Sequence, residues 1–303
     1  MPMELAVIEA PSNLGLRPSG VESAPKALKK AGLLKWLGAG STAALRAPPY
    51  LARRDPRTGV LNGPAIRDFS IRLADKVSDA LDRGHFPVVL GGDCSILIGC
   101  LLALRRKDRY GLFFLDGHAD FHSPRSSPTG EAADMDLALV TGRGPAILTD
   151  IEGCRPLVRD RDAAVFGQRD AGEAREDSSP DVARTKMAVY RLKRVRRLGA
   201  ARAARQALRN LSQKTDGFWI HLDADVLDDQ VMPAVDYRMP GGLSLEELGT
   251  VLKILAASGR AVGMDVTIYN PKLDPGAACA RSLVKVLAQG LAPLTLPLYH
   301  STT

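Results

Sequence analysis

Three short stretches of this chain end an apolar run in residues that bind cations. In Gly111 to His122, GLFFLDGHADFH, the run Leu112 to Leu115 leads straight into Asp116, His118 and Asp120. In Gly217 to Asp229, GFWIHLDADVLDD, Phe218, Trp219 and Ile220 precede Asp223 and Asp225. In Phe86 to Ser95, FPVVLGGDCS, the run ends in Gly91, Gly92, Asp93 and Cys94. Side chains two apart on extended backbone share a side, so each set can converge on one point. A single Asp pair at a strand end is more often a helix cap or turn acceptor. Three such ends in one chain reverse that reading, because acidic groups gathered at the end of a hydrophobic strand are costly unless something positive sits among them. A divalent metal meets that need.

Apolar runs and helical patterns alternate around these ends. Pro64 to Arg83 carries Ile66, Phe69, Leu73, Val77 and Leu81 at helical spacing, with Gly84 as its stop. The strand Phe86 to Leu90 follows, then a helix Ile96 to Leu104, then the strand Leu112 to Leu115. Further strands are expected at Met3 to Ile8, Ala163 to Phe166, Met187 to Leu192, from Phe218, and at Ala261 to Tyr269. Helices are expected at Val21 to Ala31, Gly199 to Gln213, after Ser244, and from Ala277 to Leu291. Gly38 to Asn62 and His122 to Asp136 read as irregular surface, the second a loop over the metal mouth. The alternation implies an α/β fold: a three-layer α/β/α arrangement with a mostly parallel, doubly wound sheet, whose ligand site lies at the carboxyl ends of the strands. With no repeat and no long linker, residues 1–303 read as one domain.

Composition narrows the partners. The chain of 303 residues is 45% hydrophobic with net charge +7, and its positive residues are spread apart from local density at Arg191 to Arg197. Aromatic residues make up only 5%, so the stacking platforms of single-strand binders are lacking; no nucleic acid is expected. Cys94, Cys100, Cys154 and Cys279 show no CxxC spacing, which fits reduced thiols. No apolar run approaches the roughly 20 residues of a membrane span, and the first residues do not read as a signal peptide. A cytoplasmic protein with no membrane partner is expected.

Carboxylates and an imidazole suit Mn²⁺ or another first-row cation, and five or six ligands are more than one compact site takes. Two metals bridged by shared carboxylates would use them all and would supply hydroxide at neutral pH. Hydrolysis is the expected output.

The set GGD-x-S, D-x-H-x-D and D-x-D-x-x-D resembles the ureohydrolase family of arginases and agmatinases, which hydrolyse guanidino compounds at a binuclear manganese centre. Ser12 to Gly15, Gly20 to Pro25, Gly241 to Ser244 and Asn270-Pro271 are also similar to that family, so the resemblance runs along nearly the whole chain. It implies that Asp116 and Asp223 bridge two metals, that Asp120 and Cys94 complete one, and that His118 and Asp225 complete the other. It implies that Asp120 also orients the attacking solvent, and that Asp170 and Glu173 meet the amino end of the substrate. Two Mn²⁺ per chain, a small guanidino or amide-like substrate and a homo-oligomer, trimeric or hexameric, follow from the same likeness.

Three positions depart from the family pattern. Cys94 stands where most members have His, and a thiolate favours Zn²⁺ more than an imidazole does; a branch acting on hydroxylated arginine resembles this chain there. Ile268 stands where a Glu holds the guanidinium, and an apolar side chain cannot pair with a cation. Ala133 stands where a loop His shuttles protons, leaving Glu131, Asp134, His122 or His221 for that role. His221 reads as lying on the face opposite Asp223, so a packed structural histidine is the other reading. The expected activity is hydrolysis of a C–N bond in a guanidino or related compound, with a modified arginine among the substrates; a non-catalytic, metal-binding or structural relative is the alternative.

Overall fold

The computed structural model describes residues 3–212 and 215–295. Gln213, the expected end of one helix, lies outside them. Eight strands form a single sheet: β1 (Leu5–Ala10), β2 (Gly40–Ala44), β3 (Phe86–Gly91), β4 (Gly111–Leu115), β5 (Ala163–Phe166), β6 (Ala188–Tyr190), β7 (Phe218–Asp223) and β8 (Ala261–Thr267). Their order is β2-β1-β3-β8-β7-β4-β5-β6, and every pairing is parallel. The expected mostly parallel α/β/α fold is therefore realised, with no antiparallel strand in the sheet among the described residues.

Alternation along the strands builds two cores. Leu5 and Val7 of β1 join one cluster with the helices Leu245–Ala256 and Ala278–Thr295, while Ala6 and Ile8 join the other with the helices Gly63–Asp82 and Leu97–Arg105. Burial on both faces is why the central strands read as unbroken apolar runs. The helix Leu245–Ala256 starts where its sequence says it should: Ser244 and Glu247 form a reciprocal capping box.

Several elements differ from expectation, among them short helices at Leu33–Leu37, Ala146–Thr149, Ala171–Glu176 and Leu192–Leu198. Gly40–Ala44, inside a stretch read as irregular, is the edge strand β2, and its small residues give no alternation to read. Asp136–Val140, which begins at the end of the stretch His122 to Asp136 read as irregular, is a short helix.

Candidate metal centre

The chemistry-bearing residues follow the carboxyl ends of four adjacent strands: Cys94 follows β3, Thr267 ends β8, Asp223 ends β7, and Asp116 follows β4. Gly92 lets the loop before it close on the site, because a Cβ there would lie 1.8 Å from the Ser12 carbonyl oxygen. Ser12 then donates to Asp93 at 2.7 Å, and Asp93 accepts from the Ser95 amide. Cys94 is held in place by its neighbours.

Asp116 and Asp223 each use one oxygen to shape their own turn, and Asp225 uses one to hold the neighbouring loop. Asp116 Oδ1 accepts from the His118 amide at 2.6 Å, Asp223 Oδ1 from the Asp225 amide at 2.7 Å, and Asp225 Oδ1 from the Gly117 amide at 3.1 Å. The other oxygens face inward. Asp223 Oδ2 lies 2.9 Å from Cys94 Sγ, and Asp225 Oδ2 lies 2.9 Å from His118 Nδ1. One donor atom from each of Asp116, His118 and Asp120 lies within 4.8 Å of the others. The structure thus brings together all six residues expected to hold metal.

Left to themselves, these groups repel. Burial first, and then the neighbouring carboxylates, push Asp116 and Asp120 well above the usual carboxylate range; burial and Asp225 do the same to Asp223. Burial and Asp223 push the Cys94 thiol up. Burial would lower the His118 imidazole, but Asp225 beside it raises it to about 9. Asp116 Oδ2 is buried with no hydrogen-bond partner among the described residues. Acceptors crowded together, one of them orphaned and several driven toward their neutral forms, are what a cation would satisfy. The donor set, oxygen with one nitrogen and one sulfur, fits a first-row divalent ion.

The centre forms the floor of a cavity of about 230 Å³. His122, Glu131, Asp134, Asp170, Glu173, Tyr237 and Ile268 all line it, whereas His221 lies buried outside its lining. Their surroundings differ. Glu131 Oε1 accepts from the amide and the guanidinium of Arg17, and Oε2 accepts from the Tyr237 hydroxyl. Asp170 accepts from the Ala119 amide at 3.0 Å and from Gln168, which braces the loop carrying His118 and Asp120. Glu173 is exposed on the helix Ala171–Glu176. His122 Nδ1 is buried with no partner among the described residues. Ile268 does face the cavity, at a backbone φ of 66° that a β-branched residue rarely adopts. Ala133 also lies on the wall and offers no group to titrate.

Three residues carry more than their sequence context announces. Arg169 donates to the carbonyls of Asp225, Leu227 and Met239 and so fastens the turn that presents Asp225. Asp136 is fully buried beside the centre, although it ends a stretch read as irregular surface. His221 corrects the expectation that it faces away: residues two apart share a face, and it lies on the same side as Asp223, with Nε2 3.9 Å from Asp116 Oδ2.

Comparison with known proteins places this sheet and centre among the metal-dependent hydrolases of non-peptide C–N bonds. The chain belongs to the arginase family, whose model, described as Arginase family, matches residues 3–292. It is 29% identical over 293 residues to an arginase of Brevibacillus brevis, covering 95% of this chain and 97% of that one. The solved arginase of Bacillus caldovelox superposes with a TM-score of 0.86 at 28% identity, over 96% of this chain and 98% of the other. An arginase from Bacillus cereus gives a TM-score of 0.85 at 27% identity, over 95% and 98% of the two chains. No helix of the described residues is long and apolar enough to cross a membrane.

Proposed function

We propose that this chain, as one catalytic domain, hydrolyses a C–N bond of a guanidino or related compound at two divalent cations. Mn²⁺ is the proposed metal, with Zn²⁺ the competitor at the Cys94 side. Cys94, Asp116, Asp120 and Asp223 would hold one ion, and Asp116, His118, Asp223 and Asp225 the other. Such a pair supplies Lewis acidity and brings the pKa of solvent water toward neutrality. The convergence of these donors on the floor of an open cavity is the observation that carries the reading.

The chain's own groups divide the remaining work. Asp120 orients the water that adds to the guanidino carbon. As the C–N bond breaks, the leaving amine needs a proton, and His122, with an unengaged buried nitrogen, is better placed to deliver it than Glu131, whose oxygens are held by Arg17 and Tyr237. Asp170 keeps the ligand loop in position, and Glu173 meets the amino end of the substrate at the mouth. Ile268 gives a cationic guanidinium no partner, which favours a guanidine made less basic by a substituent, as in a modified arginine. Against a non-catalytic role stands the cavity itself, which opens the donor cluster to a small molecule.

The test is a panel of guanidino compounds, plain and N-substituted, incubated with metal-loaded protein and assayed for urea or a substituted urea. Release by wild type and none by Asp223→Ala is the expected result; silence across the panel with metal bound overturns it. We further propose a cytoplasmic homo-oligomer, trimeric or hexameric, which light scattering on the eluting protein would read directly.

A further inference from the structure

His221 does not behave as a packed histidine. Its ring is fully buried and stacks on Phe114 with centroids 4.7 Å apart. Nδ1 lies 2.6 Å from Asp265 Oδ2, and Asp265 Oδ1 in turn accepts from the Trp219 indole N–H. A carboxylate beside Nδ1 is an acceptor, so Nδ1 carries the proton and Nε2 is left with its lone pair. That lone pair points at other acceptors. Nε2 lies 3.9 Å from Asp116 Oδ2 and 3.9 Å from Asp136 Oδ2, and all three atoms are buried with no hydrogen-bond partner among the described residues.

An imidazolium does not resolve this arrangement, because 3.9 Å is too long for a hydrogen bond from Nε2 to either carboxylate. A metal ion does. Ligands at roughly 2.0 to 2.2 Å from one ion can stand about 4 Å apart. One donor atom from each of Cys94, Asp116, His221 and Asp223 lies within 4.8 Å of every other, and all four residues are buried. The Asp265 contact is the outer support that metal-bound histidines ordinarily have.

We propose that His221 Nε2 is a ligand of the cation held by Cys94, Asp116 and Asp223, and that Asp265 is the positioning residue that aims it. This rests on the metal-centre reading above and adds a donor to it. A sulfur and a nitrogen beside the carboxylate oxygens make that position softer than the His118 and Asp225 position, and shift its preference from Mn²⁺ toward Zn²⁺.

The test uses the full chain, stripped by a chelator and titrated with Co²⁺ alone while the thiolate-to-metal absorption and the ligand-field bands are followed. His221→Ala is expected to shift the ligand-field bands of the thiolate-bound Co²⁺ and to weaken its binding by more than the roughly 10- to 100-fold expected for Asp265→Asn. Equal affinity and superimposable spectra in wild type and His221→Ala overturn the inference and leave the metal centre standing. A wild type that binds no Co²⁺ overturns both. Should His221→Ala fail to fold, X-ray absorption of the wild type with Zn²⁺ decides: sulfur and imidazole on the same ion support the assignment, and a sulfur-bound ion without imidazole overturns it.

Discussion

Asp134 sits on the cavity wall with Oδ2 accepting from Ser127 at 2.6 Å and Oδ1 buried without a partner among the described residues. Burial outweighs that hydrogen bond and raises its pKa from 3.8 to about 6. The folded protein therefore binds a proton that the unfolded chain has already lost, so stability is fully present below about pH 4 and falls as pH rises to about 6. An asparagine cannot ionise. Asp134→Asn is expected to gain up to about 3 kcal/mol relative to wild type across that window, measured by denaturant unfolding at a series of pH values. Ile268 invites the opposite kind of change. A carboxylate there would face the cavity and pair with a cationic guanidinium, and a hydrogen bond to a charged group contributes about 1.5 to 3 kcal/mol. Ile268→Glu is expected to raise kcat/KM for an unsubstituted guanidine roughly 10- to 100-fold over that of wild type; an unchanged ratio between plain and substituted substrates would count against the assigned role of Ile268.

The elements explain which parts of the site could be read from sequence. A central strand buried on both faces is an apolar run, and Leu112 to Leu115, Phe86 to Leu90 and Ala163 to Phe166 announce themselves by it. Strand ends were legible for the same reason, since an acidic residue can follow such a run only where the strand leaves the core. β2 was not legible, because an edge strand of Gly, Ser, Thr and Ala pairs on one side only and needs no apolar alternation. His221 and Asp223 lie two apart on β7, beyond the register shift at Phe218 and Trp219, and so share a face of the strand. Asp136 and Arg169 had no local signal: the groups they face at the centre, His221 for Asp136 and the carbonyls of Asp225, Leu227 and Met239 for Arg169, lie on elements distant in sequence, and only the folded sheet brings them together. Arg169 makes an element-scale prediction. Its guanidinium bonds to carbonyls on both sides of the turn after β7, so Arg169→Met strands those carbonyls and frees Asp225 to wander. A loss of roughly 2 to 4 kcal/mol of stability is expected, together with weaker metal binding at the His118 and Asp225 position; an unaltered metal titration would show that the clamp does not position Asp225.

At the scale of the whole molecule, the sheet concentrates buried acid where four strands end, and a counter-charge there would relieve the repulsion. Metal bound to the native state alone stabilises it by about 2.7 kcal/mol at a free concentration one hundred times Kd, so stripping by chelator should lower Tm by several degrees. The penalty has a pH sign. Asp116, Asp120 and Asp223 are raised above the ordinary carboxylate pKa, so in the stripped protein their contribution to stability is present at acid pH and is lost as these groups ionise. The effect of the chelator on Tm should therefore grow as pH rises through and beyond the usual carboxylate range; a pH-independent effect would indicate that the carboxylates are compensated without metal.

Of the two tryptophans, Trp36 is 63% exposed and Trp219 is wholly enclosed, its indole N–H bound to the carboxylate that also bonds His221. The molecule thus carries its own optical gauge. Filling the centre changes the electric field on a dry indole through two consecutive hydrogen bonds, while the wet indole on the surface serves as an internal standard. The blue edge of the emission band should shift or change in intensity as Co²⁺ or Zn²⁺ is added, and Trp219→Phe should leave only the red, unresponsive component.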